Sequence, residues 1–426
     1  MRIDGPIFDH DGTPGRVGTT CCIAGGGPAG MMLGLLLARA GVDVLVLEKH
    51  ADFLRDFRGD TIHPSTLEVM HELGVLDRFL RLPHREVTEL RAQIGETVLT
   101  IADFSHLPTR CRFIALMPQW DFLDFLRDDG ERSPGFHLRM RAEVVDLLED
   151  GERVVGVRAR TADGPLEVRA DLVVAADGRS SIVREKAGLA VEELGAPMDV
   201  LWFHLSRRSG DPVGAMGRFD AGRIFVLLDR GEHWQCGYVI PKGTLDSIRE
   251  RGLDAFRREV AALTPFAADR VTEIGGWDDV KLLTVRVDRA RRWYRPGLLA
   301  LGDAAHAMSP VGGVGINLAI QDAVAAANLL APSLRAGRLG IDDLRRVQRR
   351  RQFPTRVTQR LQLLVQNAVV SSVLRSSAPL RPPLVARLLG HIPLLRRIPG
   401  RLIGIGIRPE HVSRPAAAPP RDGAAG

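Results

Sequence analysis

The sequence predicts an α/β protein in two parts: a parallel βαβ scaffold with an inserted, mostly antiparallel β-sheet, followed by C-terminal helices. Three stretches carry that prediction. Residues 19–48 read as strand, apolar helix, strand; residues 191–290 are dominated by aromatic and β-branched runs; residues 298–330 return to a buried strand and a long apolar helix. A chain of 426 residues with 45% hydrophobic side chains can bury a core in each part.

Charge and cysteine content narrow the class. Lys and Arg number 58 against 52 Asp and Glu, and the basic residues are mostly arginines spread along the chain. That pattern suits a solvated surface with some affinity for anionic cofactors or lipid headgroups. With two tyrosines and no aromatic-basic interleaving, nucleic acid is not an expected partner. Cys21, Cys22, Cys111 and Cys236 lack CxxC spacing, so neither a disulfide framework nor a metal site is indicated and a reducing cytoplasm is expected. Residues 1–18 are polar and glycine-rich without the layout of a signal peptide, and read as a flexible extension. Every apolar run is broken by Arg, Gly or Pro before spanning length, so the protein is expected to be soluble or peripheral.

The first βαβ unit is the most informative. A β-rich run at 19–25 leads into Gly25-Gly-Gly-Pro-Ala-Gly30, then an apolar helix closed by Gly41, then a strand ending at Glu48. G-x-G-x-x-G at 25, 27 and 30 permits a tight turn and close approach of a diphosphate to a helix N-terminus, where partial positive charge collects. The carboxylate of Glu48 can accept hydrogen bonds from ribose hydroxyls. This is a Rossmann-like dinucleotide site, and Glu48 disfavours a 2′-phosphate on the ribose.

Residues 53–80 hold a loop with Arg58, on the side where a bound dinucleotide would emerge, and then a helix with a capping-box pattern at Ser65 and Glu68. Residues 113–130 read as a strand passing into a helix, with Gln119 at the junction. From 136 to 174 short alternating strands with glycine turns follow, and the last ends at Asp177-Gly178. Ser181 and Arg184 then make a second anion-friendly loop opening a helix.

Residues 191–290, apart from a helical stretch at 245–263, predict the antiparallel sheet, a substrate-facing module. Trp202, His204, Phe225, Trp234 and Tyr238 are its pocket candidates, although such residues more often build cores. Residues 298–330 read as strand, Gly302-Asp303, a Pro/Gly-rich turn, and a helix beginning near Gly315. The turn offers a carboxylate and free backbone N–H groups at one point. Residues 341–375 are helical and arginine-rich. Residues 379–408 alternate apolar residues with Arg and Pro, which suits either a weak peripheral membrane contact, a lid over a greasy substrate, or a terminal helical hairpin packed on the core. The tail, residues 411–426, has the composition of a disordered segment.

Together these motifs resemble the class A FAD-dependent monooxygenases, the family of para-hydroxybenzoate hydroxylase and of the phenol and polyketide hydroxylases. The likeness runs in order over residues 19–335. It rests on Gly25 to Gly30 with Glu48, on Asp177-Gly178-x-x-Ser181-x-x-Arg184, and on Gly302-Asp303-Ala-Ala-His306. It implies a glutathione reductase-like FAD-binding domain made of residues 19–190 and 291–335, a substrate-binding sheet at 191–290, and a helical region at 336–410. By the same resemblance Gly25, Gly27 and Gly30 would hold the FAD diphosphate, Glu48 the adenosine ribose, and Arg58 and Gln119 further parts of FAD. Asp177 would serve FAD and the nicotinamide donor. Gly302 and Asp303 would take the ribityl or diphosphate region, while Pro310, Gly313, Val314, Gly315 and Asn317 would run along the isoalloxazine ring. His306 would be structural. Many members carry Gln where this chain has Val314, so the hydrogen bond of that side chain is missing.

The implied reaction needs no side-chain nucleophile, and none is evident. In this family NADH or NADPH reduces FAD, O2 adds at flavin C4a, and the hydroperoxide passes one oxygen atom to an electron-rich aromatic or polycyclic small molecule. The alternative on the same scaffold is a reductase or oxidase of a lipophilic isoprenoid or quinone, suggested by the basic, apolar C-terminus. Halogenation lacks its W-x-W-x-I-P signature, and a flavin-binding regulator without turnover has no positive support. Oligomeric state is left open.

Overall fold

The computed structural model describes residues 15–54, 61–212 and 214–413. Its main sheet runs, neighbour by neighbour, through Tyr294–Arg295, Leu298–Ala300, Gly164–Ala175, Gly15–Ala24, Val44–Leu47 and Phe136–Arg139. All pairs are parallel except the edge pair made by Tyr294–Arg295. The central strands are fully apolar where both of their faces are buried: Cys21, Cys22 and Ile23 are completely buried. Helix Pro28–Arg39 is buried from Ala29 through Ala38, so it is a core helix and not a surface one. Gly34 lets it cross the sheet closely; a Cβ there would meet the Phe136 ring at 2.9 Å.

The first strand starts at Gly15, earlier than expected, because residues 15–18 pair with 166–169. That part of the supposed flexible extension is therefore ordered by main-chain hydrogen bonds; residues 1–14 lie outside the described residues. Two antiparallel strands, Glu143–Asp150 and Arg153–Thr161, extend the sheet from Gly164–Ala175. The capping box at Ser65 does not form. Its helix begins at Pro64 with His63 as cap residue, and Glu68 instead accepts a hydrogen bond from the Arg110 N–H at 2.8 Å.

The second sheet has seven strands in the order Lys281–Leu283, Met198–Ser206, His233–Pro241, Arg223–Asp229, Ala215–Asp220, Glu89–Ile94, Thr97–Asp103. It is antiparallel except where Ala215–Asp220 meets Glu89–Ile94. The last two strands come from residues 89–103, which the sequence reading placed wholly with the first part. Alternation identifies a strand but not its partner, and here the partner lies more than a hundred residues away.

The helix Gly315–Arg335 belongs to a helical stretch, Val311–Arg335, that is long and apolar enough to cross a membrane, which the sequence reading did not anticipate, but 83% of its apolar window is buried within the protein. It packs against Pro28–Arg39 and against the long helix Ile341–Val365. Two short helices, Leu384–His391 and Pro393–Gly404, fold into a hairpin over the strand Thr97–Asp103. Of the tail, residues 411–413 are described: His411 C=O accepts from Asn328 Nδ2 at 2.8 Å, and Val412 N–H donates to Glu72 at 2.7 Å. Residues 414–426 lie outside the described residues.

Candidate cofactor site

Parallel pairing aligns Ala24, Leu47, Ala175 and Ala300 in one row across the main sheet. The segments just beyond those strand ends are therefore neighbours in space. Gly25 to Gly30, Glu48, Asp177 and Gly302-Asp303 line a single edge, the carboxyl end of the sheet, where α/β folds take their ligands. Four motifs scattered over the sequence become one groove.

At its centre the glycines make a tight corner. Gly25 has φ +105°, and a Cβ on it would meet Ala176 O at 2.4 Å; one on Gly30 would meet Gly25 O at 2.0 Å. Gly27 faces open space, with no atom within 4 Å of where a Cβ would be. It precedes helix Pro28–Arg39, whose first turn carries neither a capping side chain nor an acid. Pro28 has no N–H and Met31 donates to Gly27 O, so the N–H groups of Ala29 and Gly30 are the first-turn donors that can receive an anion. Glu48 is buried beside them and accepts from Gly26 N–H at 2.9 Å and from His50 N–H at 3.0 Å, with His50 Nδ1 at 2.5 Å. Burial alone would raise its carboxyl pKa, but the bonds from His50 and Gly26 outweigh it and hold it below the usual range. Glu48 is thus an ionised acceptor at the edge of the groove.

Asp177 accepts from Val183 N–H at 3.2 Å, opening helix Ile182–Lys186, while its Oδ1 is buried without a partner. Burial raises its pKa. Ser181 caps the same helix through Arg184 N–H at 2.9 Å. Arg184, expected to favour an anion, is instead a strut. Its guanidinium donates to Ala304 O and to Arg179 O, both at 3.0 Å, tying the Asp177 loop to the Asp303 turn. Beside Asp303 stands Arg179, which the sequence reading passed over; it lies 3.4 Å from Asp303 Oδ2, both side chains about one-third exposed. Gly302 (φ +57°) brings that turn against Ala29 and Ala319, where a Cβ would sit at 3.1 and 3.3 Å.

The turn beyond begins at Pro310 and uses Gly312 (φ +79°) and Gly313 (φ +62°) to reach Gly315, the first residue of the core helix. That helix also starts without a capping side chain or an acid. Thr61 Oγ1 donates to Gly313 O at 3.1 Å. Asn317 Oδ1 accepts from Thr66 Oγ1 at 2.6 Å and from His63 N–H at 3.3 Å, leaving its Nδ2 buried and unpartnered. His63, missed in the sequence, is fully buried. It donates Nδ1–H to Ile403 O at 2.8 Å, its Nε2 has no partner, and burial lowers its pKa to about 4. Val314 packs on Met308, Leu318 and Ile403. His306 pairs with Asp322 at 2.6 Å, and Asp322 also receives Arg351 Nε at 2.9 Å, a buried network that makes His306 an anchor for the Gly302 turn. Gln119 lies buried at its strand-helix junction as expected, with no side-chain hydrogen bond among the described residues. Arg58 lies outside the described residues.

The aromatic pocket candidates divide between two faces. Phe225, Trp234 and Tyr238 point into a core formed with Phe203 and Phe256 under helices Leu245–Glu250 and Leu253–Leu263, away from the groove. Phe225 and Trp234 are packing residues, because even and odd positions of a strand face opposite sides; Tyr238 also lines a pocket with Arg223, Ile248 and Glu259, to which its hydroxyl donates at 2.9 Å. Trp202 and His204 lie on the other face. Trp202 spreads over Gly237, where a Cβ would meet its ring at 2.9 Å, and it packs in a cluster with Val200, Ile224, Val239 and Val311 of the glycine turn. Its Nε1 is buried without a partner. His204 is exposed, 4.5 Å from the His233 ring.

A groove of this shape, with an open glycine corner, an ionised carboxylate beside it and an uncapped helix terminus at its far end, suits an elongated flavin dinucleotide. Residues 18–361 match the FAD binding domain family. The chain belongs to that family of FAD-dependent monooxygenases, and it is an enzyme with FAD as cofactor. Among curated relatives it is 35% identical to 6-methylpretetramide 4-monooxygenase of Streptomyces rimosus, over 89% of this chain and 92% of that one. It is 28% identical to dialkyldecalin synthase of Streptomyces rugosporus over 72% of this chain, and spans 63% of that relative's length. The same fold is found in p-nitrophenol 4-monooxygenase PnpA from Pseudomonas putida DLL-E4, with a TM-score of 0.74 and 21% identity, covering 90% of this chain and 97% of that one.

Proposed function

We propose that this protein uses NADH or NADPH and O2 to hydroxylate an aromatic or polycyclic small molecule. The observation that carries the reading is the alignment of the cradle, Glu48, Asp177 and Asp303 along one sheet edge that leads to an uncapped core-helix terminus. In this reading the Gly25 to Gly30 corner binds the FAD diphosphate, Glu48 the adenosine ribose, and Asp303 with Arg179 the ribityl region. FAD, when bound, supplies the redox chemistry. The chain's own residues orient and insulate it. The N–H groups from Val314 to Asn317 favour negative charge on the reduced ring, as an oxyanion hole would. The Val200, Trp202, Ile224 and Val239 face gives an apolar wall that excludes water, and the Trp202 Nε1–H is a donor for a polar substituent on the substrate.

The Streptomyces rimosus relative, by its name, oxygenates 6-methylpretetramide, which supports a polycyclic substrate. Four free, buried cysteines support a cytoplasmic enzyme. The test is NADH and NADPH oxidation by the purified, FAD-loaded protein with a panel of phenols, under air and under argon. The expected result is substrate-stimulated oxidation that requires oxygen. Equal rates in both atmospheres with a reduced product would assign the protein to quinone or isoprenoid reduction, and a protein that takes up no FAD would refute the reading altogether.

A further inference from the structure

The C-terminal hairpin is built inside out. Its small residues face the protein. Ala386 is buried, a Cβ on Gly390 would meet Leu99 at 2.3 Å, one on Gly400 would meet Asp103 O at 2.0 Å, and one on Gly404 would meet Leu107 at 2.6 Å. The large aliphatic residues face outward. Leu384, Leu388, Leu394, Ile398 and Leu402 are between 39% and 69% exposed, and the last three recur every four residues along one ridge. Arg396 fixes the arrangement by donating to Leu389 O at 2.7 Å and to Gly390 O at 2.5 Å across the hairpin. The terminal helical hairpin expected from the sequence is present, but it packs on the protein mainly through its small residues and leaves these leucines outside.

Charge indicates what covers the ridge. Between Asp343 and Glu410 the chain has fourteen arginines and no acidic residue, so the segment that carries the ridge brings positive charge and no carboxylate of its own. Arg381, Arg387 and Arg401 are exposed and form no ion pair among the described residues. A second copy of the chain meeting this face about a two-fold axis would set like charges against each other. A protein partner would be expected to meet aromatic anchors, and residues 354–413 contain no Phe, Tyr or Trp. A ridge of aliphatic side chains flanked by arginines matches a helix lying in the plane of an anionic bilayer, apolar face down.

We propose that the Leu384–Gly404 hairpin docks the enzyme on an anionic lipid surface. The hairpin also reaches the cofactor groove. Ile403 packs on Met308, Val314 and Leu318, and its carbonyl holds His63. Docking would therefore place the groove beside the membrane. This inference does not depend on the reaction proposed above, because it concerns binding of the folded, FAD-loaded protein.

The test is co-sedimentation of the FAD-loaded full chain with vesicles of phosphatidylglycerol and phosphatidylcholine, compared with phosphatidylcholine alone. The variants are Leu394→Ser/Ile398→Ser and Arg387→Glu/Arg401→Glu, with flavin content and thermal melting as folding controls, since all four side chains are exposed. Binding should be at least about ten-fold tighter on the anionic vesicles, weaken with salt, and fall several-fold in each variant. No preference for anionic vesicles, or binding that both variants retain in full, would overturn the proposal. So would a solution dimer that the Leu394→Ser/Ile398→Ser variant dissolves, which would assign the ridge to a second copy.

Discussion

Asp303 and His63 show how differently two side chains can serve one groove. Asp303 stands partly exposed on a sharp turn, its nearest charge Arg179 at 3.4 Å, so removing it leaves the fold intact and costs mainly ligand contacts. Asp303→Ala should weaken FAD binding by about ten-fold or more, the loss expected for one charge-assisted hydrogen bond. Fluorescence titration of the apoprotein checks it; a variant with unchanged affinity would remove Asp303 from the site. His63 acts through burial. Its pKa is lowered from 6.5 to about 4, so the unfolded chain takes up a proton between those values while the folded one does not. Stability is therefore full above about pH 6.5 and falls as the pH drops towards 4, by up to about 3 kcal/mol. Denaturant titrations across that range should show a shallower loss in His63→Gln than in the unaltered protein.

Among whole elements, the helix Ile341–Val365 does more than support the core. Gln359 Nε2 donates to Asp288 O at 2.7 Å, and Gln362 Nε2 donates to Ser309 O at 2.9 Å and Val311 O at 2.8 Å. Gln366, where the helix widens into a π-turn, donates to Ser309 Oγ at 2.7 Å. These amides strap down the irregular strand that leads into the glycine turn. Gln362→Leu would leave two carbonyls and the Ser309 N–H without that partner. It should destabilise the protein by about 2 kcal/mol and speed FAD release, measurable by chemical denaturation and by flavin fluorescence after dilution. Unaltered stability and release would show that the strap is not needed. The sequence could not reveal it: glutamines on an arginine-rich helix read as solvent-facing until their irregular partner strand is in place. The βαβ unit was legible because its strands, glycines and acid are local. Phe225 and Trp234 pack in a core although they were pocket candidates, since β-alternation gives two faces without saying which one meets the groove.

At the scale of the molecule, the fold class, the four groove motifs and their order along the chain were all readable from local pattern. The closing of the second sheet by residues 89–103, the Arg184 strut and the buried His306–Asp322–Arg351 network were not. Each joins residues far apart in sequence, and no local signal encodes such partners. Both sheets meet at the glycine turn, where Val311 packs on the face that carries Trp202, and this is why the oxygenation reading belongs to the whole architecture and not to any one residue. A scaffold shared with a dialkyldecalin synthase shows that the architecture must still be tested by its product. The most direct measurement is mass spectrometry of the product formed from a turned-over phenol under oxygen-18 gas with NADH or NADPH. A product carrying one labelled oxygen atom is the predicted result; nicotinamide consumed in step with an unlabelled product would contradict it.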